Sequence, residues 1–414
     1  MTGILLYIDP GTGSMLFTIL IGILSTILYF AQKLTLKLKF RMSGGKAGDI
    51  ADTGLMEYVI FSDSKRYWNT FKPICDEFEK RGVPIHYWTA SPDDPALKEE
   101  YENVKCEFIG EGNKAYARLN MMKADICLST TPGLDVYQWK RSPNVKWYVH
   151  IFHAVSEGIG YEMFGTDFYD AVLTTSPLPE GRIRQLEEMR SLPEKELIRV
   201  GVPYMDTLKA KAESIEDVKG AVPQVLLAPS WGKSGILSRY GERIIEELIK
   251  TGYNIVIRPH PQSMTSEKEM MEKLMEKYPE SENLSWNFDN DNFNVLSRSD
   301  IMISDFSGVI FDYSFIFDRP LIYADTSFDP STYDAAWIDE PMWLLRVLPT
   351  MGLELSEDSM SDLKGLIDRA LTDESLKEGR RKAKETAWSN IGNAAKTAAD
   401  YLMEKHAALK EISS

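Results

Sequence analysis

The chain has 414 residues, enough for two globular domains, because single hydrophobic cores rarely grow beyond about 250–300 residues. Its apolar fraction of 43% and charged fraction of 26% are those of an ordinary folded protein and argue against a disordered one. The formal net charge of −15 disfavours nonspecific binding to nucleic acid, since no basic surface is available to replace phosphate counterions.

The first predicted element is an apolar segment near the N-terminus. Residues Ser14 to Ala31 are nearly all apolar, and Pro10 to Gln32 carry no charged side chain. About 20 such residues in a helix cross a hydrocarbon core of about 30 Å. Five basic and no acidic residues follow between Lys33 and Gly48, whereas a cleaved signal peptide would carry its basic residues in front. Residues 1–48 are therefore predicted to form a membrane anchor and a basic juxtamembrane linker.

The same flank predicts the orientation of the protein. By the positive-inside rule, the chain after Lys33 lies in the cytoplasm. The alternative is a monotopic helix, because Tyr7 to Gly13 (YIDPGTG) could form a re-entrant or interfacial turn. Both interpretations predict a cell-membrane protein, single-pass or monotopic, with cytoplasmic domains. Three cysteines without Cys-x-x-Cys spacing fit that reduced compartment: Cys75, Cys106 and Cys127.

After a Gly-rich linker, short apolar runs alternate with helical patterns such as Thr70 to Arg81. Strands that alternate with helices imply βαβ units and a parallel sheet. We therefore predict a Rossmann-like N-terminal domain over residues 55–208. Its predicted strands are Met56–Phe61, Val83–Trp88, Cys106–Ile109, Ile126–Ser129, Lys146–Phe152 and Ala171–Thr174.

A second alternating set predicts another Rossmann-like domain over residues 222–385. The stretch Lys209 to Pro223 is interpreted as a polar connection between the two domains, and residues 386–414 as a helical tail. The fold class is thus α/β, with two doubly wound domains that face a cleft. The strands predicted for the second domain are Gln224–Ala228, Asn254–Ile257 and Ile301–Ile303, and a further buried strand is predicted at the end of the stretch Asn294 to Asp325.

These three strands each end in a turn rich in polar side chains. The turns are Pro229–Lys233, Arg258–Pro261 and Ser304–Gly308, and the carboxyl ends of parallel strands meet at one edge, where doubly wound sheets bind ligands. Arginine and lysine suit a diphosphate, and a helix that begins after Gly308 would add an anion site. We predict a phosphate-containing ligand bound by Ser230, Trp231, Lys233, Arg258, Ser304, Asp305, Ser307 and Gly308.

Several of these residues have a structural alternative. Trp231 could stack on a base or fill the core, and Asp305 or Ser307 could simply cap the helix. Asp312 is also predicted to belong to the site, since it lies one and a half turns into the helix and could reach back. Its alternative is an ion pair with Arg319.

Two of the five histidines are candidates for catalysis. His260, held between two prolines, could donate a proton or hydrogen bond to a phosphate oxygen. His153 follows an apolar strand and could act as a general base on an acceptor hydroxyl, although a structural role is the alternative. His150 is expected to be structural. Because His150 and His153 would point different ways and have no Cys or carboxylate cluster nearby, no metal site is predicted.

The motifs APSWGKS, RPHP and SDFSGVIFDYSFIFDRPLIYAD resemble the donor domain of the CDP-glycerol glycerophosphotransferase family, which comprises membrane-associated teichoic acid primases and polymerases with a GT-B fold. The matching family motifs are roughly AP-T-W, R-x-H and SD-Y-S-S-x-x-x-D followed by KP. Gly201 to Asp206 is similar to the family's G-x-P-R-x-D, and the His153 region is more weakly similar to W-H-G-T-P-x-K. The resemblance spans about Val145 to Asp325.

The resemblance implies a GT-B fold in which residues 55–208 form the acceptor domain and residues 222–385 the donor domain. It implies transfer of glycerol phosphate, or another polyol phosphate, from a CDP-activated donor to a lipid-linked or polymeric cell-envelope acceptor, with no cofactor. His260 and Ser307 would contact the donor pyrophosphate, and His153 would activate the acceptor. The chain departs from the family at Phe152 for Trp, Ala154 for Gly, Gly158 for Lys, Tyr204 for Arg and Gly308 for the second Ser.

Two other functions are compatible with these residues. One is a nucleotide-sugar glycosyltransferase or a nonhydrolysing epimerase on the same fold, since fold does not determine function. The other is a catalytically inert, membrane-anchored module that binds a nucleotide or phosphate, which the altered loop around His153 suggests.

Overall fold

Residues 54–215, 220–289, 291–324 and 329–413 are described in a computed structural model of the chain. They form two α/β domains, each built on one parallel sheet. The predicted membrane anchor at residues 1–48 lies outside these residues. None of the helices in the described ranges is long and apolar enough to cross a bilayer.

The sheet of the first domain has seven strands. They are β1 (Met56–Ser62), β2 (Ile85–Thr89), β3 (Val104–Phe108), β4 (Ala124–Ser129), β5 (Val145–Ile151), β6 (Ala171–Thr174) and β7 (Glu196–Arg199). Their order is β3-β2-β1-β4-β5-β6-β7, and all neighbours are parallel. The order reverses between β1 and β4, which makes the carboxyl ends of these two strands the expected ligand site.

The helices of the first domain pack on its sheet through apolar faces. The first helix buries Phe71, Ile74 and Phe78, which recur every three to four residues, and it ends where Gly82 adopts a φ of +65°. These helices are α1 (Trp68–Arg81), α2 (Asn113–Asn120), α3 (Pro177–Arg190) and α4 (Pro203–Glu213).

The second domain repeats the same topology with six strands. They are β8 (Gln224–Leu227), β9 (Asn254–Ile257), β10 (Leu284–Trp286), β11 (Ile301–Ser304), β12 (Leu321–Ala324) and β13 (Leu353–Leu355). The order is β10-β9-β8-β11-β12-β13, again parallel throughout. The reversal lies between β8 and β11, so the turns after these strands are the second expected ligand site.

Helices cover both faces of the second sheet. The helix that follows β11 is buried on nearly every side, with Ile310, Phe311, Tyr313 and Phe315 in the core. The helices are α5 (Ile236–Tyr240), α6 (Glu242–Lys250), α7 (Ser263–Ser266), α8 (Lys268–Lys277), α9 (Phe293–Arg298), α10 (Val309–Phe317), α11 (Trp343–Met351), α12 (Glu357–Met360), α13 (Leu363–Thr372) and α14 (Lys377–Ala387).

The chain returns to the first domain at its C-terminal end. Helix α15 (Ala394–Ser413) buries Ala398 and Leu402 in the core of the first domain. The ring nitrogens of its His406 lie 2.8 Å from the Tyr58 hydroxyl and 2.9 Å from the Asp125 carboxylate. The helical segment predicted at residues 386–414 is therefore a docked element that ties the two domains together.

Some sequence-based boundaries were wrong. The polar connection predicted from Lys209 is helical up to Glu213, because Met205 and Leu208 give α4 a buried face. Strand β7 was not predicted, since it is short and carries charged residues at both ends. Strand β10 was missed because it has only three residues.

Residues 329–342, here called the strap, leave the second domain after β12 and lie against the first. The amide of Asp334 donates to the Tyr161 carbonyl at 2.9 Å, and the amide of Ala335 donates to the Ile159 carbonyl at 2.9 Å. The Asp334 carboxylate, fully buried, accepts hydrogen bonds from the amides of Phe164 and Gly165. Backbone pairing and a buried charge thus join the domains at one end of the cleft.

Candidate active site

A cleft of about 770 Å³ separates the two domains and opens at the carboxyl ends of both sheets. Its lining comes from the turns after β1 and β5 of the first domain and after β8, β9 and β11 of the second. Both reversal points of strand order therefore face one space. Such a cleft is the standard ligand site of doubly wound domains.

Asp305 organises the second-domain wall of the cleft from inside. Its carboxylate accepts hydrogen bonds from the amides of Ser230 (2.9 Å), Ile236 (3.0 Å) and Ser307 (3.2 Å), and the residue is fully buried. Burial raises the pKa of Asp305, and these amide donors oppose the rise by stabilising the charged form. Asp305 therefore fixes the turns after β8 and β11 to each other.

Ser304 has a similar supporting role. Its hydroxyl donates to the Ala228 carbonyl at 2.6 Å, and the side chain is buried. Neither Ser304 nor Asp305 lines the cleft, so the structure corrects the prediction that they contact the ligand directly. Sequence alone placed them at the right strand end, but the direction of each side chain depends on the neighbouring turn.

His260 faces the cleft from the turn after β9. Its Nδ1 accepts a hydrogen bond from the Gln262 amide at 3.1 Å, so the neutral ring carries its proton on Nε2. Burial, with the charges of Arg66 and Arg258, lowers the pKa of His260 to about 4. At neutral pH this ring is thus an uncharged hydrogen-bond donor aimed by its backbone contact.

Trp231 lines the same wall and is 43% exposed. Its ring centroid lies 6.5 Å from that of His260. The alternative that it fills the core is therefore wrong, and its face is open to a planar group.

Arg258, Ser230, Ser307 and Gly308 also line the cleft. The Arg258 guanidinium is held by the Asn287 side chain and, at 2.8 Å, by the Asp289 carbonyl. Ser230 has a buried hydroxyl without a hydrogen-bond partner. Gly308 precedes the first turn of α10, where the positive end of the helix dipole favours an anion.

Lys233, in contrast, is exposed and does not line the cleft. Its predicted contact with the ligand is not supported by this placement. The turn after β8 bends at Gly232, whose φ is +87°, so the residues beyond it leave the wall.

Asp312 faces the cleft from α10. It is 7% exposed, and its Oδ1 has no hydrogen-bond partner. Burial raises the pKa of Asp312 to about 7. The alternative pairing with Arg319 is not formed, since that guanidinium donates to the carbonyls of Ser297 and Ser299. Near neutral pH the carboxyl can therefore accept or donate a hydrogen bond.

His153 faces His260 from the first-domain side of the cleft, two residues past β5. Its Nδ1 lies 3.1 Å from the Thr130 hydroxyl, and its ring centroid lies 4.8 Å from that of Tyr67. Burial, with the charges of Arg66 and His260, lowers the pKa of His153 to about 4. The ring is therefore neutral at physiological pH and able to accept a proton if Nδ1 carries its hydrogen toward Thr130.

His150 is structural, as expected. It is fully buried in β5, and its Nε2 lies 3.2 Å from the Tyr161 hydroxyl. Burial lowers the pKa of His150 to about 3. The different surroundings of His150 and His153 confirm that the two rings point to different places. Within the described ranges, no group of three or more His, Cys, Asp or Glu side chains is arranged to hold a metal ion.

The sequence reasoning missed several polar residues of the first domain that line the cleft. Asp63, Arg66 and Asn69 line the cleft from the loop and helix start that follow β1. The sequence could have indicated these residues, because the polar run SDSKRY begins at the end of β1, and β1 borders the reversal of strand order.

Two departures from the family motifs lie against each other across the cleft. A Cβ atom at Gly308 would be 4.0 Å from the Cβ of Ala154. The family motifs have the smaller residue on the His153 loop and serine at the other position. In this chain the glycine is on the second-domain side of the cleft, so the two substitutions affect one contact.

A family model described as CDP-Glycerol:Poly(glycerophosphate) glycerophosphotransferase matches residues 162–364. A search of curated proteins found no match. Among solved structures, the wall teichoic acid polymerase TagF is 17% identical with a TM-score of 0.59, covering 95% of this chain and 99% of that one. A histidine-to-asparagine variant of TagF soaked with CDPG is 15% identical with a TM-score of 0.59, covering 94% and 99%.

The UDP-GlcNAc 2-epimerase of Methanocaldococcus jannaschii, in complex with UDP-GlcNAc and UDP, is 12% identical with a TM-score of 0.53, covering 85% of this chain and 100% of that one. At such identities these structures establish the fold, and they confirm two GT-B-like domains. The family match includes the strap and the wall formed by β8, β9 and β11. The family match and the shared fold together place the chain in the CDP-glycerol glycerophosphotransferase family, as its motifs predicted.

Proposed function

We propose that the protein transfers glycerol phosphate, or another polyol phosphate, from a CDP-activated donor to a hydroxyl of a lipid-linked or polymeric cell-envelope acceptor. One observation carries the proposal: His153 and His260, from different domains, line the same cleft as two neutral imidazoles. A transfer between two substrates needs one group that accepts a proton and another that holds the leaving phosphate.

The second-domain wall of the cleft, here called the donor wall, is formed by the turns after β8, β9 and β11, and it suits a cytidine diphosphate. His260 Nε2–H, Ser307 and the N-terminus of α10 would donate hydrogen bonds to the diphosphate, and Arg258 adds positive charge. The open face of Trp231 beside His260 fits a base. These donors are fixed before the ligand arrives, because Asp305 holds the turns after β8 and β11.

The reaction would be a direct displacement at phosphorus. The acceptor hydroxyl oxygen attacks the phosphorus that bears the glycerol, the bond from that phosphorus to the oxygen of CMP breaks, and His153 takes the hydroxyl proton. The products are a phosphodiester of the acceptor and CMP. Bound diphosphate adds negative charge beside both histidines, which raises their pKa values toward the ordinary range and makes His153 a better base.

The proposal places the cleft at a membrane. The apolar segment Ser14 to Ala31 and the basic residues that follow it support a single-pass or monotopic anchor, with the two domains in the cytoplasm. An anchored enzyme would meet a lipid-linked acceptor at the bilayer surface.

The test is an assay of CMP release by the full-length protein in detergent. CDP-glycerol is expected to release CMP in the presence of an envelope acceptor. His153→Ala should lower kcat about 10²–10⁴-fold, the usual contribution of a general base. Its affinity for CDP-glycerol, measured by calorimetry, should change little, because His153 lies on the opposite wall.

His86→Ala is the matched control, since His86 lies on β2 and does not line the cleft. Release of UDP from UDP-sugars without release of CMP from CDP-glycerol would favour the glycosyltransferase or epimerase alternative. Full activity of His153→Ala would contradict the assigned base. Binding of CDP-glycerol without any turnover would favour the inert module.

A further inference from the structure

The loop after β1 places an arginine in the cleft beside the proposed base. The Arg66 guanidinium carbon lies 5.2 Å from the centroid of the Tyr67 ring, and that ring lies 4.8 Å from the His153 ring. All three residues line the cleft. The Tyr67 ring thus contacts both the cation and the imidazole.

Arg66 is exposed and forms no ion pair with a described carboxylate. Its neighbour Lys65 behaves differently, because the Lys65 ammonium pairs with Asp93 away from the cleft. Asp63, on the same loop, has an Oδ1 without a hydrogen-bond partner and does not bind Arg66 directly. Arg66 therefore keeps its donors available for an anion.

Only two lysine or arginine residues occur among the described residues that line the cleft, Arg66 and Arg258. Arg258 belongs to the donor wall and already donates to Asn287 and Asp289. Arg66 stands on the other wall. Its positive charge lowers the pKa values of both His153 and His260, so it is close enough to influence both sides of the cleft.

We propose that Arg66 is a catalytic residue whose guanidinium binds the non-bridging oxygens of the phosphoryl group during its transfer between the domains. This inference rests on the proposed function. The transferred phosphoryl group is the one charged part of the substrates that must face both walls at once. A planar fork suits two of its oxygens, and charge stabilisation there lowers the barrier. Arg258 and His260 then remain for the phosphate that leaves with CMP.

The experiment compares Arg66→Ala with Lys65→Ala in the full-length protein, with CDP-glycerol and an envelope acceptor as substrates. The two variants lose the same charge at adjacent positions, but only Arg66 lines the cleft. We expect kcat to fall about 10²–10³-fold in Arg66→Ala, the usual effect of removing one charge-stabilising donor. Lys65→Ala should remain within about twofold of the parent, since exposed ion pairs contribute little.

Two further readouts separate a catalytic role from a structural one. Millimolar guanidinium should restore part of the lost kcat in Arg66→Ala, because the free cation can occupy the place of the missing side-chain guanidinium. The acid limb of the kcat/KM profile should move to higher pH, because removal of a positive charge raises the pKa of His153 from its value of about 4 in the protein without ligand. A thermal unfolding curve checks that Arg66→Ala is folded. If that variant shows no cooperative transition, Arg66→Gln replaces it.

An unchanged kcat in Arg66→Ala, or an equal loss in Lys65→Ala, would overturn the inference. A loss of kcat without guanidinium rescue and without a shifted acid limb would assign Arg66 a structural role and also overturn it. Failure of the parent protein to release CMP from CDP-glycerol is a different outcome, which refutes the proposed function itself.

Discussion

Two fully buried carboxylates, Asp305 and Asp334, hold the two walls of the cleft in different ways. Asp305 accepts hydrogen bonds from amides of its own domain, those of Ser230, Ile236 and Ser307. Asp334 belongs to the strap, which leaves the second domain, yet its partners are in the first domain. They are the amides of Phe164 and Gly165 and the guanidinium of Arg190.

The difference concerns what each wall needs in order to keep its shape. The donor wall is fixed by contacts inside one domain, so it can be complete whatever the position of the other domain. The first-domain wall is here called the acceptor wall. Its stretch from Ile159 to Gly165 is positioned by the strap across the domain boundary. Donor binding should therefore depend on Asp305, and the alignment of donor with acceptor should depend on Asp334.

Asp305→Ala should have the largest effect. The change leaves three amides, two of them in buried contacts, without an acceptor, and hydrogen bonds to a charged group contribute about 1.5–3 kcal/mol each. We expect the free energy of unfolding to fall by about 5 kcal/mol and the binding of CDP-glycerol to be lost. Urea denaturation and calorimetry measure the two quantities.

Asp300→Ala is the matched control at the opposite end of β11. The Asp300 carboxylate accepts one amide hydrogen bond, from Gln224 at 2.8 Å. Its loss should cost about 1 kcal/mol and leave donor affinity unchanged. Equal effects of the two variants on donor affinity would refute the special role of Asp305.

Asp334→Ala should rank second and act differently. It removes a partner from Arg190, whose side chain is 4% exposed, and loss of one member of a buried ion pair costs about 3 kcal/mol or more. We expect kcat to fall, because the acceptor wall loses its alignment, while the dissociation constant for CDP-glycerol stays within about threefold. Steady-state kinetics and calorimetry on the same preparation check this.

Glu340→Ala tests whether the loss of any contact made by the strap lowers kcat as the loss of Asp334 does. Glu340 pairs with Arg182 but is 63% exposed, so its removal should cost less than about 1 kcal/mol and leave kcat unchanged. If Asp334→Ala weakens donor binding as strongly as it lowers kcat, the two walls are not independent and the comparison with Asp305 fails.

The sequence predicted the donor side of the cleft better than the acceptor side. Strands β9, β8 and β11 are neighbours in the second sheet, and the turns that follow them lie at one edge. Topology alone could therefore place His260, Arg258 and Ser307. Topology does not determine which way a side chain points within a turn. Asp305 was therefore placed at the correct strand end but given a ligand contact instead of its supporting role.

The acceptor side was harder because its parts are distant in sequence. His153 was found from the end of β5, but the strap reaches the same wall from residues 329–342 without a motif that marks the contact. The docking of α15 on the first domain also joins positions such as Tyr58 and His406. Such contacts follow from the packing of whole domains, which local periodicity does not encode.

The smallest expected effect separates two neighbours in the turn after β8. Trp231 lines the cleft beside His260, whereas Lys233 is exposed and does not line it. Stacking of an aromatic ring on a base contributes about 1–3 kcal/mol. Trp231→Ala should therefore lower the affinity for CDP-glycerol about tenfold or more. Trp231→Phe should retain most of the affinity, because a smaller ring still presents a face.

Lys233→Ala should change the affinity by less than twofold, although it removes a charge that the sequence assigned to the diphosphate. Calorimetric titration with CDP-glycerol and with glycerol phosphate distinguishes the two residues, since only the nucleotide has a base for Trp231 to contact. Equal losses with both ligands would mean that Trp231 only supports His260. A tenfold loss in Lys233→Ala would show that its side chain moves into the cleft when donor binds, and that the donor wall is less fixed than Asp305 implies.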